Sequence, residues 1–148
     1  MFQILILNKI LKKSYGDIVV EVTIYQQTVH LSLKNVPEEN KKEDELFVIV
    51  PLLKDKRWWV RGAASIELLE MVPLPEKYDN DLCAALRFDR EFTSFNCAKI
   101  LGKNGRKAII PKLREALNSP ERLLKKAAIE ALENYFSKEE INERSSHE

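Results

Sequence analysis

Internal repetition is the sequence feature that most constrains the fold of this chain. Three segments align position for position, and the steps from Val60 to Thr93 and from Thr93 to Leu124 are 33 and 31 residues. A period of this length is typical of architectures built from stacked supersecondary units. Three columns of the alignment show the correspondence, and they hold Val60, Thr93 and Leu124; Ala64, Cys97 and Ala128; and Leu68, Leu101 and Leu132.

Each repeat has the pattern of two helices joined by a short polar turn. In the second helix of the first repeat, Val60, Ala64 and Leu68 share one face at helical spacing. Asn104 followed by Gly105 is typical of a helix end. The pattern predicts helices over 44–54 and 58–72, over 79–87 and 91–103, and over 106–118 and 121–136.

Stacking of these helix pairs follows from their need to bury apolar surface. A single pair cannot cover its own apolar face, and three pairs are about the minimum for a stable array. The sequence therefore predicts a mainly α fold class, a short α-solenoid of about three helix pairs over 46–136, with a small β-hairpin extension at the N-terminus.

The first repeat carries the motif Leu-x-Asp-x-x-x-x-Val-Arg-x-Ala-Ala-x-x-x-Leu, at Leu53, Asp55, Val60, Arg61, Ala63, Ala64 and Leu68. This pattern resembles the HEAT-like repeats, in the short bacterial form that is also found in phycobilin lyase proteins. The resemblance implies a HEAT-like solenoid and says little about function. In the third repeat Ser119 and Lys125 stand where the family has Asp and Arg, so we expect the family's Asp–Arg ladder between repeats to be broken.

The first 36 residues differ from the repeats. Apolar residues alternate over 18–24 and again over 29–33, which favours two strands that turn near 25–28. A lone hairpin is marginal in water, so it must pack on the first helix pair, pair with 2–7 as a third strand, or pair with another chain. The alternative is a further helix pair over 2–13 and 18–33. We interpret 37–45 as a charged linker and 137–148 as a polar tail.

Composition excludes several classes of protein. The 148 residues carry a formal net charge of +1 and 45% hydrophobic residues, which is typical of one soluble globular domain. No apolar run of about 18 residues is present, and the N-terminus is a poor secretory signal, so we expect a cytoplasmic protein with no membrane partner. Cys83 and Cys97 are expected to be reduced, small buried hydrophobes.

Motifs of catalysis are missing from the sequence. It has four glycines, with no Gly-rich phosphate loop and no Gly-x-Ser-x-Gly motif. His30 and His147 have no metal ligand at a suitable spacing. We therefore expect no enzyme, no catalytic residues, no metal and no cofactor.

Two features point to a binding surface. Trp59 occupies the same repeat position as apolar residues and is expected in the core, whereas Trp58 occupies a polar position, as expected of an exposed interface anchor. Trp58 could instead shield the end of the solenoid. Between Lys99 and Lys126, nine Lys and Arg minus two acids give +7 over 28 residues, which suits phosphates or an acidic protein, or else a solvated helix surface. The candidate binding residues are Trp58, Arg61, Arg106, Lys107, Arg114, Arg122, Lys125 and Lys126.

These features favour a non-enzymatic protein–protein interaction module, for example an inhibitor, immunity or adaptor protein with an acidic partner. The alternative is a nucleic-acid-binding HEAT-like protein that uses the basic 99–126 surface. The segment 58–61 looks a little like a helix start of HEAT-like DNA glycosylases, but their acidic catalytic residue has no counterpart that we can place. A third hypothesis, a bilin lyase-like chromophore-handling protein, depends on the repeat resemblance alone.

Overall fold

Three strands come first along the chain and helices follow, with short turns between the elements. The computed structural model describes residues 9–88, 90–139 and 141, and it divides into two units, Met1–Glu67 and Leu68–Glu148, with the division inside helix α2. Unit 1 contains β1 (Lys9–Tyr15), β2 (Ile18–Tyr25), β3 (Thr28–Lys34), α1 (Lys41–Ile49), a 3₁₀-helix (Val50–Lys54) and most of α2 (Trp58–Glu70). Unit 2 contains a 3₁₀-helix (Glu76–Tyr78), α3 (Asp79–Ala85), α4 (Phe92–Asn104), a 3₁₀-helix (Lys107–Ile109), α5 (Ile110–Ala116) and α6 (Arg122–Tyr135).

The strands form an antiparallel sheet in the order β1-β2-β3. Leu11 pairs with Val22, which pairs with Leu31, and these three side chains are buried on one face. Alternation of buried and less buried residues along β2 reflects the period of two that puts successive side chains on opposite faces. The β1–β2 turn has Gly16 at φ +63°, a conformation that glycine adopts without steric cost.

The hairpin prediction missed strand β1. Lysines at positions 9, 12 and 13 interrupt the apolar alternation there, and Leu11 is its one buried residue. An edge strand tolerates charged side chains because one of its sides is not paired within the sheet. The proposed third strand at 2–7 lies outside the described residues, and the alternative of helices over 9–13 and 18–33 is wrong.

Helix α1 begins inside the segment that was interpreted as a charged linker. Its first turn carries Glu43 and Asp44, and acidic side chains stabilise a helix N-terminus through the helix dipole. Beyond Ile49 the chain continues as a 3₁₀-helix with Pro51 in its first turn, since proline has no amide hydrogen for an α-helical bond. The predicted single helix over 44–54 is therefore two elements.

Each helix of unit 2 packs on a neighbour along the chain, and α4 and α6, which are not consecutive, also pack on each other. Helix α3 packs on α4, α5 packs on α6, and α4 packs closely on α6. Helix α4 ends at Asn104, and Gly105 follows at φ +70° with its amide donating to the carbonyl of Leu101 at 3.2 Å. This left-handed residue after the helix is the glycine C-cap that the sequence predicted.

The predicted fold class is wrong. The described residues form six α-helices and a three-stranded antiparallel sheet, so the fold combines helices with a sheet and is not a pure helical solenoid. Apolar periodicity locates helices along the chain, but it does not determine how helices from different repeats stack. No helix in the described ranges is long and apolar enough to cross a bilayer.

We predict that Gly102→Ala destabilises the protein. A methyl group at Gly102 would lie 2.6 Å from Cβ of Ala131 and 3.1 Å from Cδ2 of Tyr135, so α4 and α6 would have to separate. We expect a loss of about 1–3 kcal/mol in the free energy of unfolding by urea, although alanine favours a helix by about 1 kcal/mol over glycine.

The matched control is the double variant Gly102→Ala/Ala131→Gly, which removes the methyl group that the new one would meet. It should recover part of the loss, because Cα of Ala131 still lies 3.1 Å from the added methyl position. A Gly102→Ala variant as stable as the natural protein would contradict the close approach of α4 and α6.

Candidate functional site

Two adjoining open depressions lie along helices α3 and α5 of unit 2. Their volumes are about 490 Å³ and 740 Å³, and Cys83 and Lys112 line both of them. The first also includes Arg87 and Glu115, and the second Lys77 and Lys107. We call the two depressions together the α3–α5 groove, defined by Lys77, Cys83, Arg87, Lys107, Lys112 and Glu115.

The groove exists because α3 and α5 each bury one apolar face against another helix and leave a polar face uncovered. Both helices have seven residues. Leu82 of α3 and Leu113 of α5 are fully buried, whereas Lys112 and Glu115 are exposed. Since α3 packs on α4 and α5 packs on α6, the polar faces of the two short helices are left to line the space beside them.

An ion pair fixes one side of the groove. The Arg106 guanidinium donates to both carboxylate oxygens of Asp79, from Nε at 2.6 Å and from Nη2 at 2.7 Å, and Nη2 also donates to the carbonyl of Leu74 at 2.6 Å. Bidentate pairs of this kind are among the stronger hydrogen-bonded contacts in proteins. The bonds to Asp79 raise the pKa of Arg106. Arg106 therefore holds the first residue of α3.

A second contact supports the same segment. The side-chain oxygen of Asn104 accepts a hydrogen bond from the amide of Leu74 at 2.8 Å, and Leu74 is buried. Asn104 is the last residue of α4. The end of α4 and the residues that follow it thus determine where α3 begins.

Three of the arginines predicted to bind a partner make bonds within the chain. Arg106 binds Asp79, Arg114 donates from Nη2 to the carbonyl of Ile141 at 2.8 Å, and in unit 1 Arg61 donates from Nη1 to the carbonyl of Asp55 at 2.8 Å. Guanidinium groups suit this role because their planar array of donors fits fixed acceptors. Their predicted binding role has no support from these contacts.

The other predicted residues are exposed. Among them, Lys107 lines the groove together with Arg106. Trp58, in unit 1, is 44% exposed, which confirms its predicted exposure, and Trp59 is buried as expected. The remaining exposed cations, which do not line the groove, are Arg122, Lys125 and Lys126.

Sequence reasoning missed several groove residues. Lys77 and Arg87 lie outside the basic 99–126 segment, and Lys112 lies within it but is not among the predicted binding residues. Counting charge along the chain could not find these residues, because the groove gathers residues from separate segments.

The cysteines differ in their surroundings. Cys97 is fully buried, and burial raises the pKa of its thiol. Cys83 is only half-buried, so the expectation of two buried cysteines is wrong for it. Loss of solvation, followed by the charge of Asp79, raises the pKa of Cys83 to about 11. Within the described residues, no group of three or more His, Cys, Asp and Glu side chains could hold a metal ion.

Comparison with protein-family models, curated proteins and solved structures gave no match to this chain. The resemblance to HEAT-like repeats therefore stays a prediction. The α3–α5 groove and its charged residues are consequently the basis for a functional hypothesis.

We predict that Arg106→Met destabilises the protein. The substitution would leave the carboxylate of Asp79, a residue 7% exposed, without its ion-pair partner. Breaking a buried pair costs about 3–5 kcal/mol, and since Arg106 is partly exposed we expect about 2–3 kcal/mol in urea unfolding.

The matched control for Arg106→Met is Lys107→Met, because this neighbour is exposed and lines the same groove. Its effect should stay within about 0.5 kcal/mol, as for most surface substitutions. Equal effects of the two substitutions would show that the ion pair does not hold α3.

We predict that alkylation of Cys83 by iodoacetamide accelerates about tenfold per pH unit from pH 8 to pH 10. Thiolate is the reacting form, and a pKa of about 11 keeps its fraction small and rising over this whole range. The rate is followed by mass spectrometry, with Cys83→Ser as the control that should remove the reaction of the folded protein. A rate that levels off above pH 9 would mean an ordinary thiol.

Proposed function

We propose that this protein is a non-enzymatic protein-binding module and that the α3–α5 groove is its binding surface. The supporting observation is the pair of adjoining depressions that share Cys83 and Lys112 and are open to solvent. Small-molecule sites, whether clefts or cavities, bury most of the surface of their ligand. An open, extended groove instead suits a polypeptide segment that keeps one side in water.

The chemistry of the groove favours binding over catalysis. Its nucleophile-type side chain, Cys83, is held as a thiol by its raised pKa. The groove also offers buried apolar surface from Ala116 and Leu124 beside exposed cations such as Lys112. An apolar floor with a charged border is the usual composition of a protein interface.

Trp58 is a second proposed contact residue. It lies at the start of α2 in unit 1, and its side chain is 44% exposed. Exposed tryptophan is costly to leave in water and is enriched among the residues that dominate binding energy.

Nucleic-acid binding has less support. Arg106 and Arg114, two of the cations on which that hypothesis depends, are hydrogen-bonded to groups of the chain itself. The residues that line the groove include no aromatic side chain on which a base could stack.

Site-specific photo-crosslinking tests the proposed function. A benzophenone maleimide is attached at the exposed position of Asn118, which lines the first depression, in an Asn118→Cys/Cys83→Ser variant of the full chain. The labelled protein is irradiated in lysate of its native cells after nuclease treatment. We expect a covalent protein adduct that depends on light and on the position of the label.

The matched control carries the label at the exposed position of Glu133 on α6, in a Glu133→Cys/Cys83→Ser variant. The same adduct at equal yield from this position would reject the groove as the binding surface. Crosslinks to nucleic acid alone, in lysate without nuclease, would replace the protein-binding proposal by the nucleic-acid hypothesis.

A further inference from the structure

The charges that line the α3–α5 groove determine which kind of polypeptide it can bind. We propose that it binds an extended acidic segment of a partner protein. This inference rests on the proposed function. It adds the chemical class of the segment and the residues that select it.

Positive charge is in excess within the groove. Its exposed cations are Lys77, Arg87, Lys107 and Lys112, and its exposed acids are Glu76 and Glu115. Asp79 and Arg106 neutralise each other. Four cations minus two acids leave +2 in the groove, on a chain whose whole net charge is +1. This positive excess attracts an acidic partner.

The exposed cations of the groove lie in both of its depressions. Arg87 lines the first depression, Lys77 and Lys107 line the second, and Lys112 lines both. A single phosphate needs donors that converge on it, and the best-placed guanidinium for that purpose, Arg106, is already bound to Asp79. A chain of spaced carboxylates matches the distribution better.

The groove also offers apolar contacts between its charged residues. Ala84 and Ala108 are exposed residues that line it, and the buried Ile109, Ala116 and Leu124 lie at its base. In an extended peptide, successive side chains point to opposite sides, so acidic residues can meet the lysines while apolar ones meet this floor. The occupant is thus an acidic segment that also carries apolar residues.

Selection from a phage-displayed library of random ten-residue peptides tests the proposal. The full-length protein is the target, and the selected peptides are then synthesised and their affinities measured by fluorescence polarisation. We expect the enriched peptides to be acidic, with apolar residues between the acids, and to slow alkylation of Cys83 when bound. Replacing their Glu and Asp by Gln and Asn should weaken binding at least about tenfold.

Lys112→Glu is the test variant because Lys112 lines both depressions and is exposed. We expect it to weaken peptide binding about tenfold or more, with an unchanged circular dichroism spectrum. Because Lys112 lies 3.7 Å from the carboxylate of Glu115, the variant should lower Tm slightly. Lys125→Glu on α6, also exposed and outside the groove, is the matched control and should change the affinity less than twofold.

The outcomes separate this inference from the proposed function. Neutral or basic enriched peptides that still protect Cys83 would overturn the acidic segment and leave the protein-binding groove in place. Equal losses from Lys112→Glu and Lys125→Glu would show that the peptides bind elsewhere. A twelve-nucleotide single-stranded nucleic acid is also tested in the same alkylation assay. If it protects Cys83 at concentrations at which the peptides give no protection, both proposals are overturned.

Discussion

The ion pair between Arg106 and Asp79 is the interaction on which the geometry of unit 2 depends. Helix α3 has seven residues, and isolated helices of that length do not persist in water. Its position must therefore come from tertiary contacts. Helix α3 packs on α4, and Arg106 fixes its start by binding the first residue of α3 and the carbonyl of Leu74. Without that bond the wall of the α3–α5 groove would lose its fixed starting point.

The chain divides its cations by chemistry. Arg61, Arg106 and Arg114 each donate to a backbone carbonyl, whereas Lys107 and Lys112 are exposed at the groove. A guanidinium has several donors in one plane and loses less freedom per hydrogen bond, and an ammonium is strongly hydrated on a flexible stem. These three arginines therefore suit fixed internal bonds, and the two lysines, with Arg87, are left for reversible contacts with an acidic partner.

Sequence patterns located the long helices because their apolar positions repeat with a helical period. Helices α2, α4 and α6 differ from the predicted bounds by at most two residues. The same patterns failed where tertiary context decides. Pro51 divides a predicted helix into two elements, and the predicted stacking of the repeats was wrong. The groove brings together Lys77 and Lys112, which are 35 positions apart in the sequence. Local periodicity contains no term for such distant contacts.

Strand β1 illustrates how one set of side chains can obscure a strand and also determine its behaviour. Lys9, Lys12 and Lys13 conceal its alternation, and they lie at the edge of the sheet. Two such edges that approached each other would bring like charges together and would have to remove them from water. The β1 edge is therefore protected against pairing with a second copy. At high protein concentration, electrostatic repulsion at this edge opposes the growth of β-aggregates.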